Sequence, residues 1–212
     1  MSIRVLLADD HALMREGLRA LLAISSDIEV VGAVRTGREA QRQVVELNAD
    51  VVLMDIAMPD LNGIEAARAI HAKCPAVRIV MLSMHATAEH VYRAFEAGAC
   101  GYLLKEVAVE ELIAAVRAVH AGKRYLSPAL AEFVPDPGSR HVRSPIDSLS
   151  TRERQVLQLV VEGKTSSEIA DLVHLSPKSV QTYRSRLMAK LGVGDLPALV
   201  KFALEHGLTS PK

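Results

Sequence analysis

The chain has 212 residues, enough for two ordinary domains, and half of them are hydrophobic, which excludes an intrinsically disordered protein. Aromatic residues make up only 3%, so the core must be built from Leu, Val, Ile and Ala, while Lys plus Arg and Asp plus Glu balance at 25 each and by themselves point neither to nucleic acid nor away from it. No stretch approaches the ~20 apolar residues that span a bilayer, and Cys74 and Cys100 form no CxxC pair, so the composition predicts a soluble protein of the reducing cytoplasm with buried free thiols and no membrane partner.

Five short apolar runs with β-branched residues read as strands: Ile3 to Ala8, Ile28 to Val34, Val51 to Asp55, Val77 to Ser83 and Gly101 to Leu104. Helical periodicity fills the gaps, most clearly over Leu13 to Ala23 and Val109 to Ala121, and Thr36-Gly-Arg-Glu39 reads as a capping box for the helix after the second strand. Alternating strands and helices, with runs apolar on both faces, predict a parallel sheet covered on both sides. From Leu126 to Leu149 the periodicity stops, and Pro128, Pro135, Pro137, Gly138 and Pro145 give a linker composition. Beyond it the chain reads as helical. Ser150-Thr-Arg-Glu153 and Thr165-Ser-Ser-Glu168 are capping boxes, and Ser176 before Pro177 is an N-cap with proline at the first helical position. The expected division is 1–125, a linker over 126–147, and 148–212. Charge follows it: Leu149 to Lys212 holds 9 basic and 6 acidic residues, Met1 to Tyr125 14 and 16.

In an open parallel sheet the site lies outside the carboxyl ends of the strands. Asp9 and Asp10, Asp55, Ser83 and Lys105 all fall at that edge. Singly, each has an ordinary explanation as a cap, a turn residue or a solvated lysine. Together they make a pocket whose three carboxylates would repel without a cation, and Mg²⁺ suits carboxylates, waters and phosphate oxygens. Asp55 would then be an in-line acceptor for a phosphoryl group, with Lys105 neutralising charge and Ser83 donating a hydrogen bond.

These residues carry a resemblance. Asp9-Asp10, Met54-Asp55-Ile-Ala-Met-Pro59 with Gly63, Leu82-Ser83, and Gly98-Ala-Cys-Gly-Tyr-Leu-Leu-Lys105 resemble the signature of receiver domains over about the first 120 residues. The resemblance implies a flavodoxin-like five-stranded parallel sheet of order 2-1-3-4-5 and phosphorylation of Asp55 by a sensor histidine kinase. It further implies Mg²⁺ on Asp10, Asp55 and the Ala57 carbonyl, and a switch formed by Ser83 and Tyr102. Receiver lysines are commonly followed by proline in a cis peptide; Glu106 stands there in this chain.

The segment Ser166 to Val173, a turn through His174 to Ser176, and Pro177 to Leu191 have helix-turn-helix spacing. A 3.6-residue wheel puts Val180, Tyr183, Leu187 and Leu191 on an apolar seam and leaves Lys178, Thr182, Ser185 and, at its flank, Gln181 on the other side, bounded by Arg184, Arg186 and Lys190. A polar, non-acidic face with basic flanks suits a major groove between phosphates. Leu149-Ser-Thr-Arg-Glu-Arg-Gln-Val-Leu157, Gly163-Lys-Thr-Ser-Ser-Glu-Ile-Ala170 and Ser176 to Leu187 with Lys190-Leu-Gly-Val193 resemble the LuxR-type DNA-binding domain. That resemblance implies a four-helix all-α domain, double-stranded DNA as partner, a homodimer contact from a last helix at about Leu196 to Leu208, and RNA polymerase downstream. Together the two halves resemble the NarL/FixJ family, whose members are transcription regulators rather than enzymes. Two other readings are a regulator that uses the first domain only as a dimerisation scaffold, which the intact acidic cluster argues against, and an aspartyl-phosphate phosphatase, which would need a second carboxylate where Ala57 stands.

Overall fold

In the computed structural model the described residues are 2–84, 87–133, 145–206 and 208. The chain divides into two compact units, Met1–Pro137 and Gly138–Lys212.

In the first unit the five apolar runs form β1 (Ile3–Ala8), β2 (Ile28–Val34), β3 (Val51–Asp55), β4 (Arg78–Ser83) and β5 (Gly101–Leu104). They pair in parallel in the order β2-β1-β3-β4-β5. Each crossover carries a helix: α1 (Ala12–Leu22), α2 (Gly37–Glu46), α3 (Gly63–Lys73) and α4 (Ala88–Glu96), with α5 (Val109–His120) after the last of these strands. Successive side chains on a strand point to opposite faces, and both faces are apolar. Leu6, Val52, Met54, Ile79, Met81 and Tyr102 pack with α2, α3 and α4, whereas Val5, Leu7, Val51, Leu53, Val80 and Leu103 pack with α1 and α5. The core is aliphatic, as the scarcity of rings requires. Thr36 caps α2 by accepting from the Glu39 N–H (3.2 Å). The Glu39 carboxylate accepts from the N–H of Arg35 (2.8 Å), one residue before the position a reciprocal box would use.

The sheet gains a sixth strand. β6 (Tyr125–Leu126) pairs in parallel with Gly101 and Tyr102, in a stretch where the linker was expected to begin. A 3₁₀ turn, Pro128–Phe133, follows and packs Leu130 and Phe133 onto the core shared by α2, α3 and α4. Two residues are too short to show a strand period, so composition could not reveal this edge. The linker residues Pro135, Pro137 and Gly138 lie outside the described residues.

In the second unit a 3₁₀ turn, Pro145–Ser148, precedes α6 (Thr151–Val161), α7 (Ser166–Val173), α8 (Pro177–Leu191) and α9 (Leu196–Glu205). Both capping boxes are formed in full, at Ser150 with Glu153 and at Thr165 with Glu168. Ser176 caps α8 with Pro177 in its first turn. α7 stops because His174 adopts a left-handed conformation (φ 53°), which turns the chain into α8. The core holds Val156, Leu157, Ile169, Val173, Val180, Leu187, Leu199 and Ala203. α9 ends three residues before the expected Leu208, yet Leu208 still packs in that core and its N–H bonds to the Ala203 carbonyl (2.9 Å). Among the described residues no helix is long and apolar enough to cross a membrane.

Candidate phosphoryl-acceptor and DNA-reading sites

Parallel pairing brings the ends of β1, β3, β4 and β5 to one edge. Register aligns Asp55 with Leu82 and Ser83 with Leu104, and the Lys105 N–H bonds to the Ser83 carbonyl (2.8 Å), so the lysine leaves the sheet beside Asp55. The Lys105 ammonium lies 2.7 Å from Asp9 Oδ2 and 2.9 Å from Asp55 Oδ2, with its side chain only 3% exposed. Burial works against that positive charge, but Asp55 and Asp9 outweigh it and hold the Lys105 pKa above its usual range. At Asp55 burial dominates: it pushes the carboxyl up, with the Asp9 charge adding and Lys105 opposing.

The other oxygens are also held. Asp9 Oδ1 accepts from the His11 N–H (2.8 Å), and Asp55 Oδ1 accepts from the Ala57 N–H (3.4 Å). Arg15 Nη1 donates to the Asp9 carbonyl (2.6 Å), tying α1 to the end of β1. Asp10 stands at the open rim, its side chain 33% exposed. At the far side Tyr102 is fully buried, and its hydroxyl is hydrogen-bonded to Ser83; burial, then the Asp55 charge, push the phenol up to about 12 against the pull of that bond. The Lys105-Glu106 peptide is trans.

His11 had escaped the sequence reading. Its Nδ1 lies 2.8 Å from Asp10 Oδ1 and 3.3 Å from Asp9 Oδ1. Asp9, Asp10, His11 and Asp55 each offer a ligand atom, all within 4.8 Å of one another. Its place directly after Asp9-Asp10 was the available signal. With hard carboxylate oxygens in the majority and one buried ammonium to offset three carboxylates, the donor set fits a divalent cation.

In the second unit α8 turns Val180 and Leu187 fully inward, and Tyr183 and Leu191 pack partly buried against the same core. Lys178, Gln181, Thr182, Ser185 and Arg186 are exposed, and Arg184 is half-buried. Lys178, Gln181, Thr182 and Ser185 share one face, at spacings of three and four. The Thr182 hydroxyl donates to the Lys178 carbonyl (3.1 Å), leaving its oxygen free to accept. Lys190 differs from its neighbours. Its ammonium donates to Glu153 Oε2 (2.7 Å) and to the Ser148 carbonyl (3.3 Å), bonding α8 to the start of α6.

Residues 5–117 match the family described as the response regulator receiver domain, and residues 147–203 match that described as bacterial regulatory proteins, luxR family. Transcriptional regulatory protein MctR of Rhizobium johnstonii is 39% identical over 211 residues, 98% of this chain and 96% of that protein. Response regulator UvrY of Escherichia coli K12 is 38% identical over 212 residues, 97% of this chain and 95% of that one. Among solved structures, the complex of the two-component response regulator RcsB with DNA aligns over 97% of this chain and 99% of that chain, with 27% identity and a TM-score of 0.60.

Proposed function

This chain belongs to the NarL/FixJ family of two-component response regulators, the DNA-binding transcription regulators of phosphorelays, and from that premise we propose that Asp55 is its phosphoryl acceptor and the outer face of α8 its DNA reader. One observation carries the first half: Asp55 ends β3 with its carboxylate 2.9 Å from a buried ammonium that also binds Asp9. The donor is a phosphohistidine of a partner kinase. An Asp55 carboxylate oxygen attacks phosphorus in line, the phosphorus–nitrogen bond breaks, and the histidine keeps the electron pair. Mg²⁺, held by Asp10, Asp55 and the Ala57 carbonyl beside Asp9, would neutralise charge on the phosphoryl oxygens. Lys105 supplies a fixed positive charge on the other side. Its two ion pairs, with Asp9 and Asp55, keep it there before the donor arrives, so no reorganisation is needed.

The Ser83 hydroxyl is bonded to Tyr102. A phosphoryl group on Asp55 offers Ser83 a stronger, charged acceptor, and that competition couples the acceptor to Tyr102 and the β4–β5 edge. The output is a homodimer on double-stranded DNA, with α8 in the major groove and RNA polymerase as the downstream partner. Lys178, Gln181, Thr182 and Ser185 face the bases, Arg184 and Arg186 the phosphates. Lys190 approaches the backbone from the flank while bonded to Glu153, which fixes the pitch of the helix. The phosphorylated domain spans 1–125, the linker 126–147 and the DNA-binding domain 148–212.

Incubation with a small-molecule phosphodonor and Mg²⁺ should label the parent stoichiometrically and leave Asp55→Asn unlabelled. Stoichiometric label on Asp55→Asn would place the acceptor elsewhere.

A further inference from the structure

We infer that the acidic pocket takes a borderline transition-metal dication through a nitrogen ligand, His11 Nδ1, in addition to its carboxylates; this rests on the reading of the pocket as a cation site. Donor atoms about 2.1 Å from an octahedral ion stand about 3 Å apart when they occupy neighbouring positions. His11 Nδ1 meets that spacing twice, at 2.8 Å from Asp10 Oδ1 and 3.3 Å from Asp9 Oδ1. Asp55 completes a set whose ligand atoms all lie within 4.8 Å of one another.

The ring already sits among the carboxylates, with Nδ1 in hydrogen-bond contact with Asp9 Oδ1. His11 is the residue before α1, and its side chain makes no capping bond to that helix. Its backbone N–H, by contrast, is fixed on Asp9 Oδ1 (2.8 Å), which anchors the ring at the rim with a side chain 64% exposed. A dication would lie beside both Nδ1 and Asp10 Oδ1, which already stand 2.8 Å apart, so the ring need not travel to reach it. Magnesium, a hard ion, gains little from imidazole. Cobalt, nickel and zinc favour it. His11 therefore separates the two classes of metal: carboxylates bind both, and the imidazole adds affinity for the transition ion alone.

The test is calorimetric titration of the full chain with Mg²⁺ and, separately, with Co²⁺, for the parent, His11→Ala, His11→Gln and Asp10→Asn. Mg²⁺ competition identifies the Co²⁺ that sits in this pocket. His11→Ala should weaken the competed Co²⁺ about tenfold or more while Mg²⁺ changes by less than about twofold. His11→Gln should behave likewise, and Asp10→Asn should weaken both ions. Pulsed electron paramagnetic resonance of the Cu²⁺-loaded parent should show modulation from a directly bound imidazole, absent from His11→Ala. Equal losses of Co²⁺ and Mg²⁺ in His11→Ala, or a nitrogen signal that survives the substitution, would overturn the inference while leaving the pocket a cation site. A parent that binds neither ion would overturn both.

Discussion

The backbone carbonyl of Asp55 occupies the space that a side chain on Gly63 would need. The first residue of α3 therefore packs directly on the last residue of β3, and the Gly63 N–H bonding to the Ile56 carbonyl (2.8 Å) holds the two segments in that position. Even a methyl group here must displace backbone rather than a pliable side chain. Gly63→Ala should cost about 1–3 kcal/mol of stability, the usual range for overpacking. It should also slow phosphodonor labelling, because Asp55 moves relative to Lys105. Denaturant unfolding and labelling rates on one preparation check both, and a variant matching the parent in each would mean the loop yields without moving Asp55.

Asp55 carries a dependence on pH. Its pKa is raised above the ordinary 3.8 by burial, so the folded chain holds a proton on it more readily than the unfolded chain. This contribution favours the fold below 3.8 and is lost as pH rises through the raised value. Asp55→Asn has no such loss. Its melting temperature should exceed that of the parent by a margin that grows as pH rises above 3.8 and levels off beyond the raised folded value. Saturating Mg²⁺ should close the gap by stabilising the parent, since an ion that binds only the folded state adds stability by mass action. A gap that ignores both pH and Mg²⁺ would remove burial of the carboxylate as its cause.

On α8 the prediction separates two kinds of contact. Gln181→Ala, if it loses a base contact, should weaken binding to a selected operator by about 1–3 kcal/mol and relax preference at one position. Arg186→Ala should weaken binding to all sequences alike and reduce the salt slope by about one. Fluorescence anisotropy at several salt concentrations distinguishes them. Parent-like binding by both variants would mean that another face of the domain meets DNA.

The strand edges were legible because buried parallel strands read as uninterrupted apolar runs, and their ends put Asp9, Asp55, Ser83 and Lys105 on one rim. The helix starts were legible because a capping box is a local pattern: Ser150 with Glu153 needs nothing beyond four residues. What escaped was either too short or too distant. Tyr125 and Leu126 form a strand only because Gly101 and Tyr102 offer an open edge. His11 stands before the helical pattern that begins at Leu13 with nothing local to mark it as a ligand, and its proximity to Asp10 is a matter of side-chain direction. Lys190 was placed on the flank of α8 by a helical wheel, which carries no information about Glu153, 37 residues away on another helix.

The Lys190–Glu153 pair links the stability of the C-terminal unit to pH. Glu153 is buried while closing the capping box of α6, and it accepts from both the Ser150 N–H (2.7 Å) and Lys190. Burial works to raise its pKa, but Lys190 and Ser150 outweigh it and hold the carboxyl below its ordinary 4.5. A depressed carboxyl contributes stability that is present above 4.5 and lost as pH falls through the lower folded value. Lys190→Ala removes one of the two donors and leaves the buried carboxylate half satisfied. The lysine side chain is 43% exposed, so water screens part of the bond, and the expected loss is near the low end for a charged hydrogen bond, about 1 kcal/mol. Glu153→Gln should cost more, because it weakens the cap and the tie to α8 together. Both losses should shrink as the pH is lowered through the range where Glu153 of the parent takes up its proton. Unfolding of the C-terminal unit followed against pH tests this, and losses that stay constant across the titration would show that Lys190 acts through packing of its methylenes rather than through charge.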